Sequence, residues 1–236
     1  MAVVTDLTVL TGLIDRADAE LVRTVDALAG AAYAEPSLLP GWTRAHVVAH
    51  LTLNAEALAG VLHGAHVGEP QPMYASVEGR DADIAGLADA SPSALRERFL
   101  ASTTLFGEAL GAMGEDDWAG RFDRVPDGPT FQHADIPLMR LRELEIHHAD
   151  LSAGYTPADW SDEFATVLLD AMTRFRTSTP FGIRAIDLDR SWHFGEGEGG
   201  PVVSGTAGAL GWWLTGRGTG DDLTSDTNEL PEMEAW

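Results

Sequence analysis

Apolar residues recur at helical spacing through the first two-thirds of the chain. Between Asp6 and Gly30, the residues Leu10, Leu13, Ile14, Ala17, Leu21 and Val25 fall near one face, which predicts an amphipathic helix. A second periodic segment follows the breaker "LPGW". Thr43 stands where an N-cap is needed, and the pattern runs on to about His63. The third follows "ASPSALRERF", with Ser91 or Ser93 as cap, and reaches about Met113. The fourth runs from near Asp135 to near Leu151, with Pro137 in the first turn, where a missing N–H is tolerated. Four helices of this length predict a bundle whose core can host a site made by facing helices. The connection over residues 66–91 is too long for a bundle turn and is expected to be a functional loop.

Beyond "GYTPADW" the pattern changes. A further helix is predicted over Ser161–Thr177. The segments "IRAIDLD" and "RSWHFG" read as strands, "GEGEGG" as a hairpin loop, "PVVSG" as a strand and "AGALGWWLTGR" as a helix, before an acidic, irregular tail. The expected fold class is α+β: a four-helix bundle over residues 1–154, then a small α/β domain over residues 155–236.

The segment "RELEIHHADL" concentrates chemistry. At ~100° per residue, Glu143, His147 and Asp150 share a helix face flanked by Met139 and Ile146, while Glu145 and His148 fall on the opposite, expectedly solvated side. A Glu–His pair four residues apart on an inward face can place one carboxylate and one imidazole on a single ion. Asp150 could then accept the other ring N–H of a histidine. In the second helix His46 and His50 are also four apart, in phase with Leu53 and Ala57, and either could complete the set. Two imidazoles and a carboxylate leave coordination positions open, the pattern of a catalytic Zn²⁺ or a similar divalent ion.

Charge and composition narrow the partners. A net charge of −22 disfavours nucleic acid and anionic membranes. All 15 basic residues are arginine, the side chain suited to bidentate carboxylate binding. Cysteine is absent, so any thiol chemistry must use a thiol brought from outside. Asp6 and Asp15 interrupt the apolar start, which reads as a cytoplasmic helix rather than a signal peptide, and no run appears long enough to span a bilayer. "GEGEGG" matches a dinucleotide-binding glycine pattern only formally, since it leads into a strand and carries Glu196 and Glu198. His63 and His66 read as exposed, and Trp212 and Trp213 as a packing anchor. Arg80 in "SVEGRDAD" and Arg217 in "LTGRGTG" stand beside glycine in expected loops. By pattern alone each is a surface arginine in an acidic protein.

Together "SLLPGWTRAHVVAHLTLNAEAL", "PMYASVEGRDADI", "MRLRELEIHHADL", "VVSGTAGALGWWLTGRG" and the late "ELPE" resemble the mycothiol-dependent maleylpyruvate isomerases of the DinB-like metalloenzyme superfamily. The resemblance runs nearly end to end. It implies a DinB-like four-helix domain holding Zn²⁺ through His50, Glu143 and His147, so His50 rather than His46 is the expected third ligand. It also implies catalytic roles for Arg80 and Arg217, with mycothiol as thiol cofactor. The implied reaction is the conversion of maleylpyruvate to fumarylpyruvate, within aromatic catabolism by the gentisate pathway. A mycothiol S-transferase on the same scaffold is the alternative. A non-enzymatic domain with a structural metal fits less well, because structural Zn²⁺ is normally closed by four protein ligands. The expected partners are a small-molecule substrate and a low-molecular-weight thiol, with the chain a monomer or weak oligomer.

Overall fold

The computed structural model describes residues 6–174, 180–197 and 199–233. The expected helix end at Thr177, Glu198 of the glycine loop and the last three residues of the tail lie outside them. The chain divides into two compact units, Asp6–Gly154 and Tyr155–Trp236.

The first unit contains α1 (Leu7–Ala27), α2 (Arg44–Val67), α3 (Val77–Ala88), α4 (Pro92–Ala112), a hairpin of β1 (Arg121–Asp123) and β2 (Thr130–Gln132), and α5 (Ile136–Asp150). α1, α2, α4 and α5 form the bundle, with α2 packed mainly on α4 and α1 mainly on α5. The stripe of α1 is its buried face: Leu10, Leu13, Ile14, Ala17, Leu21 and Val25. Each large aliphatic so enclosed contributes roughly 1.5–3 kcal/mol, far more than the few tenths that separate helix propensities. Asp6 caps this helix by accepting from Thr8 N at 2.8 Å, and Ser91 caps α4 by accepting from Ala94 N at 3.3 Å. The "LPGW" turn before α2 needs Gly41, whose φ of +78° few other residues tolerate.

α2 is buried on most sides and differs from expectation. By length and composition it is apolar enough to cross a bilayer, but 72% of that stretch is buried inside the protein. Its apolar character is that of a central core helix, closed off from solvent by its neighbours.

Arg140 of α5 is completely buried. It donates to the Leu51 carbonyl and to Asn54 Oδ1 of α2, both at 3.1 Å, and to Asp18 Oδ1 of α1 at 3.4 Å. Its guanidinium also lies 5.6 Å from the Phe106 ring centre of α4. One side chain therefore touches all three partner helices.

Two elements of this unit escape the sequence pattern. The connection 66–91 is not a plain loop: α3 fills its second half, capped by Ser76, which accepts from Gly79 N at 2.9 Å. The β1–β2 hairpin pairs Arg121 with Gln132 and Asp123 with Thr130. Met73 N and Tyr74 N donate to the carbonyls of Asp123 and Arg124, each at 2.9 Å, so the strap before α3 is tied to the hairpin.

The second unit contains α6 (Asp162–Met172), β3 (Phe181–Ala185), β4 (Arg190–Phe194), β5 (Val202–Gly205), α7 (Ala207–Leu214) and β6 (Thr224–Ser225). The sheet order is β4-β3-β5-β6, with β3 and β5 parallel and the other pairs antiparallel. Phe181, Ile183, Ala185, Trp192, Phe194 and Val203 form its buried positions, alongside buried Phe164, Leu168 and Leu169 of α6 and Leu210 and Trp213 of α7. Gly208 is required on α7, because a Cβ there would meet the Pro157 carbonyl oxygen at 2.1 Å.

Two strand-level expectations change. "GEGEGG" does not close a hairpin, because β3 lies between β4 and β5. "IRAIDLD" is strand only to Ala185, since Asp187 turns to accept from Ala207 N with both carboxylate oxygens at 3.0 Å. Trp213 is buried and Trp212 packs edge-on against Trp160 at 6.1 Å, so this pair is a packing feature.

Candidate metal centre

α2 and α5 bring three donors together. His50 Nε2 lies 2.8 Å from Glu143 Oε2, and His147 Nε2 lies 3.2 Å from the same oxygen. One donor atom from each residue lies within 4.8 Å of the others. The two imidazole rings meet edge-to-face at 4.7 Å, and Trp42 stands edge-on to His50 at 5.7 Å, which restricts its ring rotation. Both histidines are nearly enclosed, whereas the Glu143 side chain keeps 22% exposure, so the cluster opens on the carboxylate side.

His46 is not part of the cluster. Its Nδ1 sits 2.8 Å from Thr43 Oγ1 and 3.3 Å from Thr43 N, where it completes the cap of α2. The four-residue spacing puts both histidines on related faces, but one serves the helix end and the other the interior.

The α5 residues divide differently from the expected wet and dry faces. Asp150 accepts from His147 Nδ1 at 2.8 Å with its carboxylate 1% exposed. Glu145 and His148, expected on the solvated side, are buried. His148 Nε2 is bonded to Thr24 Oγ1 of α1 at 2.7 Å. The helix is enclosed on nearly all sides, so it has no wet face to which polar residues could be assigned.

Electrostatics bind the trio tightly. Burial pushes the Glu143 carboxyl up, but the neighbouring His50 charge and hydrogen bonds from both histidines outweigh it and hold the group well below the usual carboxylate range. Burial lowers His50 despite the pull of Glu143. Burial also works against His147, but hydrogen bonds to Asp150 and Glu143 prevail and raise it.

These residues fit a divalent ion. In a tetrahedral site with bonds of about 2.0–2.1 Å, neighbouring donors stand ~3.4 Å apart. The observed 2.8 and 3.2 Å are hydrogen-bond separations just inside that value. The set of two imidazoles and one carboxylate is borderline-hard and incomplete, as a reactive rather than structural ion requires.

Arg80 reaches the cluster from the first turn of α3, not from a loop. Its Nη2 lies 3.3 Å from His50 Nδ1, and Nη1 donates to Asp81 at 2.7 Å. Tyr74, which the sequence pattern did not single out, lies beneath this guanidinium, 5.7 Å from Cζ to ring centre. Burial pushes its phenol up, Glu143 adds to this, and Arg80 opposes it. No spacing rule marks a lone tyrosine in a strap. Arg217 belongs to the second unit, where Nη1 donates to the Thr215 carbonyl at 3.3 Å and the guanidinium lies 5.7 Å from the Trp212 ring centre. His63 and His66 are exposed, with His66 Nδ1 3.0 Å from Asp117.

Comparison with known proteins then adds a family. The profile of the mycothiol maleylpyruvate isomerase N-terminal domain matches residues 14–152. A crystal structure of a mycothiol-dependent maleylpyruvate isomerase superposes with a TM-score of 0.88 at 31% identity, covering 98% of each chain. The structure of a histidine-to-alanine mutant of a mycothiol-dependent maleylpyruvate isomerase gives a TM-score of 0.87 at 30% identity, again over 98% of each. No curated protein sequence matches the chain.

Proposed function

The chain belongs to the mycothiol-dependent maleylpyruvate isomerase family, and from that premise we propose that it converts maleylpyruvate to fumarylpyruvate with mycothiol as thiol cofactor. The observation that carries this reading is the convergence of His50, Glu143 and His147, with the Arg80 guanidinium beside them.

His50, Glu143 and His147 would hold the ion, with zinc our assignment. When bound, such an ion supplies Lewis acidity that keeps a thiol in its thiolate form near neutral pH. The protein provides no thiol of its own. Isomerisation requires the C=C bond to lose its double character for one rotation. Addition of the thiolate forms a C–S bond and sends the electron pair to the conjugated carbonyl oxygen as an enolate. Rotation about the resulting single bond follows. The enolate then re-forms the carbonyl, breaks the C–S bond and releases the trans product with the thiolate unchanged.

In this scheme Arg80 and Arg217 bind substrate carboxylates and stabilise the developing enolate, interactions that strengthen as charge builds. Asp150 holds the His147 ring by its Nδ1, which would leave Nε2 to ligate the ion. Dependence on a free thiol suits a reducing, cytoplasmic setting, and gentisate-type aromatic catabolism is the pathway we assign to the reaction.

Assay of the purified protein with maleylpyruvate, with and without mycothiol, tests this. Isomerisation only when mycothiol is present is the expected result. Conjugation of a generic electrophile without isomerisation would instead indicate an S-transferase.

A further inference from the structure

A histidine that binds an ion must present a lone pair, and the contact of its other ring nitrogen decides which nitrogen can do so. The two histidines of this centre are set differently. His147 Nδ1 faces the Asp150 carboxylate at 2.8 Å, an acceptor. Nδ1 therefore carries a hydrogen with or without an ion, and Nε2, 3.2 Å from Glu143 Oε2, can give a lone pair once its hydrogen bond to that carboxylate is given up, with no change needed at Nδ1.

His50 Nδ1 faces Nη2 of Arg80 at 3.3 Å. A guanidinium has five N–H donors and no acceptor. Nδ1 is thus the lone-pair side, and the hydrogen stands on Nε2, where it is donated to Glu143 Oε2 at 2.8 Å. In that tautomer Nε2 has nothing to offer an ion. To ligate, His50 must carry its hydrogen on Nδ1, and Nδ1–H cannot face an Arg80 N–H.

The rest of the Arg80 guanidinium shows what its release would provide. Nη1 is committed to Asp81 at 2.7 Å. Nε is buried and, among the described residues, has no hydrogen-bond partner. Nε and Nη2 together form one edge of the planar fork, the edge whose two parallel N–H groups match a carboxylate. One of these groups is idle and the other is spent on His50.

We propose that Arg80 is a positioning residue that holds His50 in the metal-excluding tautomer, so that metal loading and release of the Arg80 Nε/Nη2 edge to a substrate carboxylate are one coupled event. The inference rests on reading His50, Glu143 and His147 as the metal site. The hydrogen lost from Nε2 is balanced by the one gained at Nδ1, and the ring is neutral before and after. By reciprocity, whatever draws Arg80 away from His50 also favours the ion.

Long-range ¹H–¹⁵N correlation spectra of the labelled full-length chain distinguish the two tautomers directly. The zinc-free protein is expected to show His50 with hydrogen on Nε2, and the zinc-loaded protein with hydrogen on Nδ1. Chelator competition then gives zinc affinity for wild type, Arg80→Met and Arg80→Lys. Both variants should bind zinc about tenfold more tightly, the scale set by one charge-assisted hydrogen bond. Lysine keeps the charge but is shorter and lacks the fork, so it separates this contact from simple repulsion of a cation.

Hydrogen on Nδ1 of His50 in the zinc-free wild type overturns the inference and leaves the metal site standing. So does an Arg80→Lys protein with wild-type affinity while only Arg80→Met binds more tightly. A wild type that binds no zinc sinks the metal reading and the inference with it. If the variants fail to fold, the wild-type tautomers decide the matter alone.

Discussion

Asp150 stands one turn beyond His147 on α5 and accepts a hydrogen bond from its Nδ1 at 2.8 Å, inside the protein. That contact sets both the orientation of the imidazole and the nitrogen free to ligate. Asp150→Asn keeps the size and loses the charge, and should weaken metal affinity about 10–100-fold with the far-ultraviolet dichroism spectrum unchanged. Chelator competition measures it, and undiminished affinity would remove Asp150 from the centre.

His46 and His50 should respond in opposite ways. His46→Ala removes a cap worth about 1 kcal/mol, a drop of about 2–4 °C in Tm, and leaves metal content intact. His50→Ala should abolish stoichiometric metal binding. Chelation should lower the Tm of the wild type by mass action and leave that of the His50 variant unmoved. Metal retained by the His50 variant and lost from the His46 variant would exchange their roles.

Arg217→Ala should lower turnover about 100-fold or more while metal remains bound, the usual cost of losing one charged stabiliser of a developing anion. Steady-state kinetics with parallel metal analysis test this. Unchanged kcat and KM would take Arg217 out of the reaction.

Arg140→Met deprives Asp18 of its buried cation and opens the contacts with Leu51 and Asn54. Loss of one partner of such a pair costs about 3–5 kcal/mol, measurable by urea unfolding. A cost below 1 kcal/mol, on the scale of an exposed pair, would show that this arginine does not hold the helices together.

The same pair gives a pH signature. Burial pushes the Asp18 carboxyl above its ordinary 3.8, against the opposing pull of Arg140. The folded chain therefore holds this proton more tightly than the unfolded chain. The group favours folding as pH falls through the raised value toward 3.8, and disfavours it above. Asp18→Asn should accordingly compare better with wild type at pH 7 than at pH 4, read as the difference in urea midpoints. The opposite ordering would mean that Arg140 outweighs burial.

Much of this was legible in the sequence, for physical reasons that differ by element. The α1 stripe is periodic because one face meets the core and the other meets water, so pattern alone identifies its buried residues. α5 defeats the same logic: with Glu145, His148, Arg140 and Asp150 all buried, polarity no longer reports exposure. Periodicity still put Glu143, His147 and Asp150 on one face, because spacing is a property of the backbone. Spacing alone leaves His46 and His50 open; the family resemblance points to His50, and the cap at Thr43, which depends on side-chain rotamers that spacing does not carry, shows where His46 is engaged instead. The β1–β2 hairpin is not legible in the pattern because its strands are three residues each, too short for an alternation to register. A turn at "VPDG", where Asp127 adopts a φ of +61°, was the available signal.

The backbone bonds from Met73 and Tyr74 to the hairpin have a wider consequence. The proposed ligands lie on α2 and α5, and β2 of that hairpin runs through one short turn straight into α5, while α3 packs on α2. The strap that leads to Arg80 is therefore tied, through the hairpin, to the helix that carries Glu143 and His147. Changes in the strap or the hairpin should reach the arginine and the proposed ligands together.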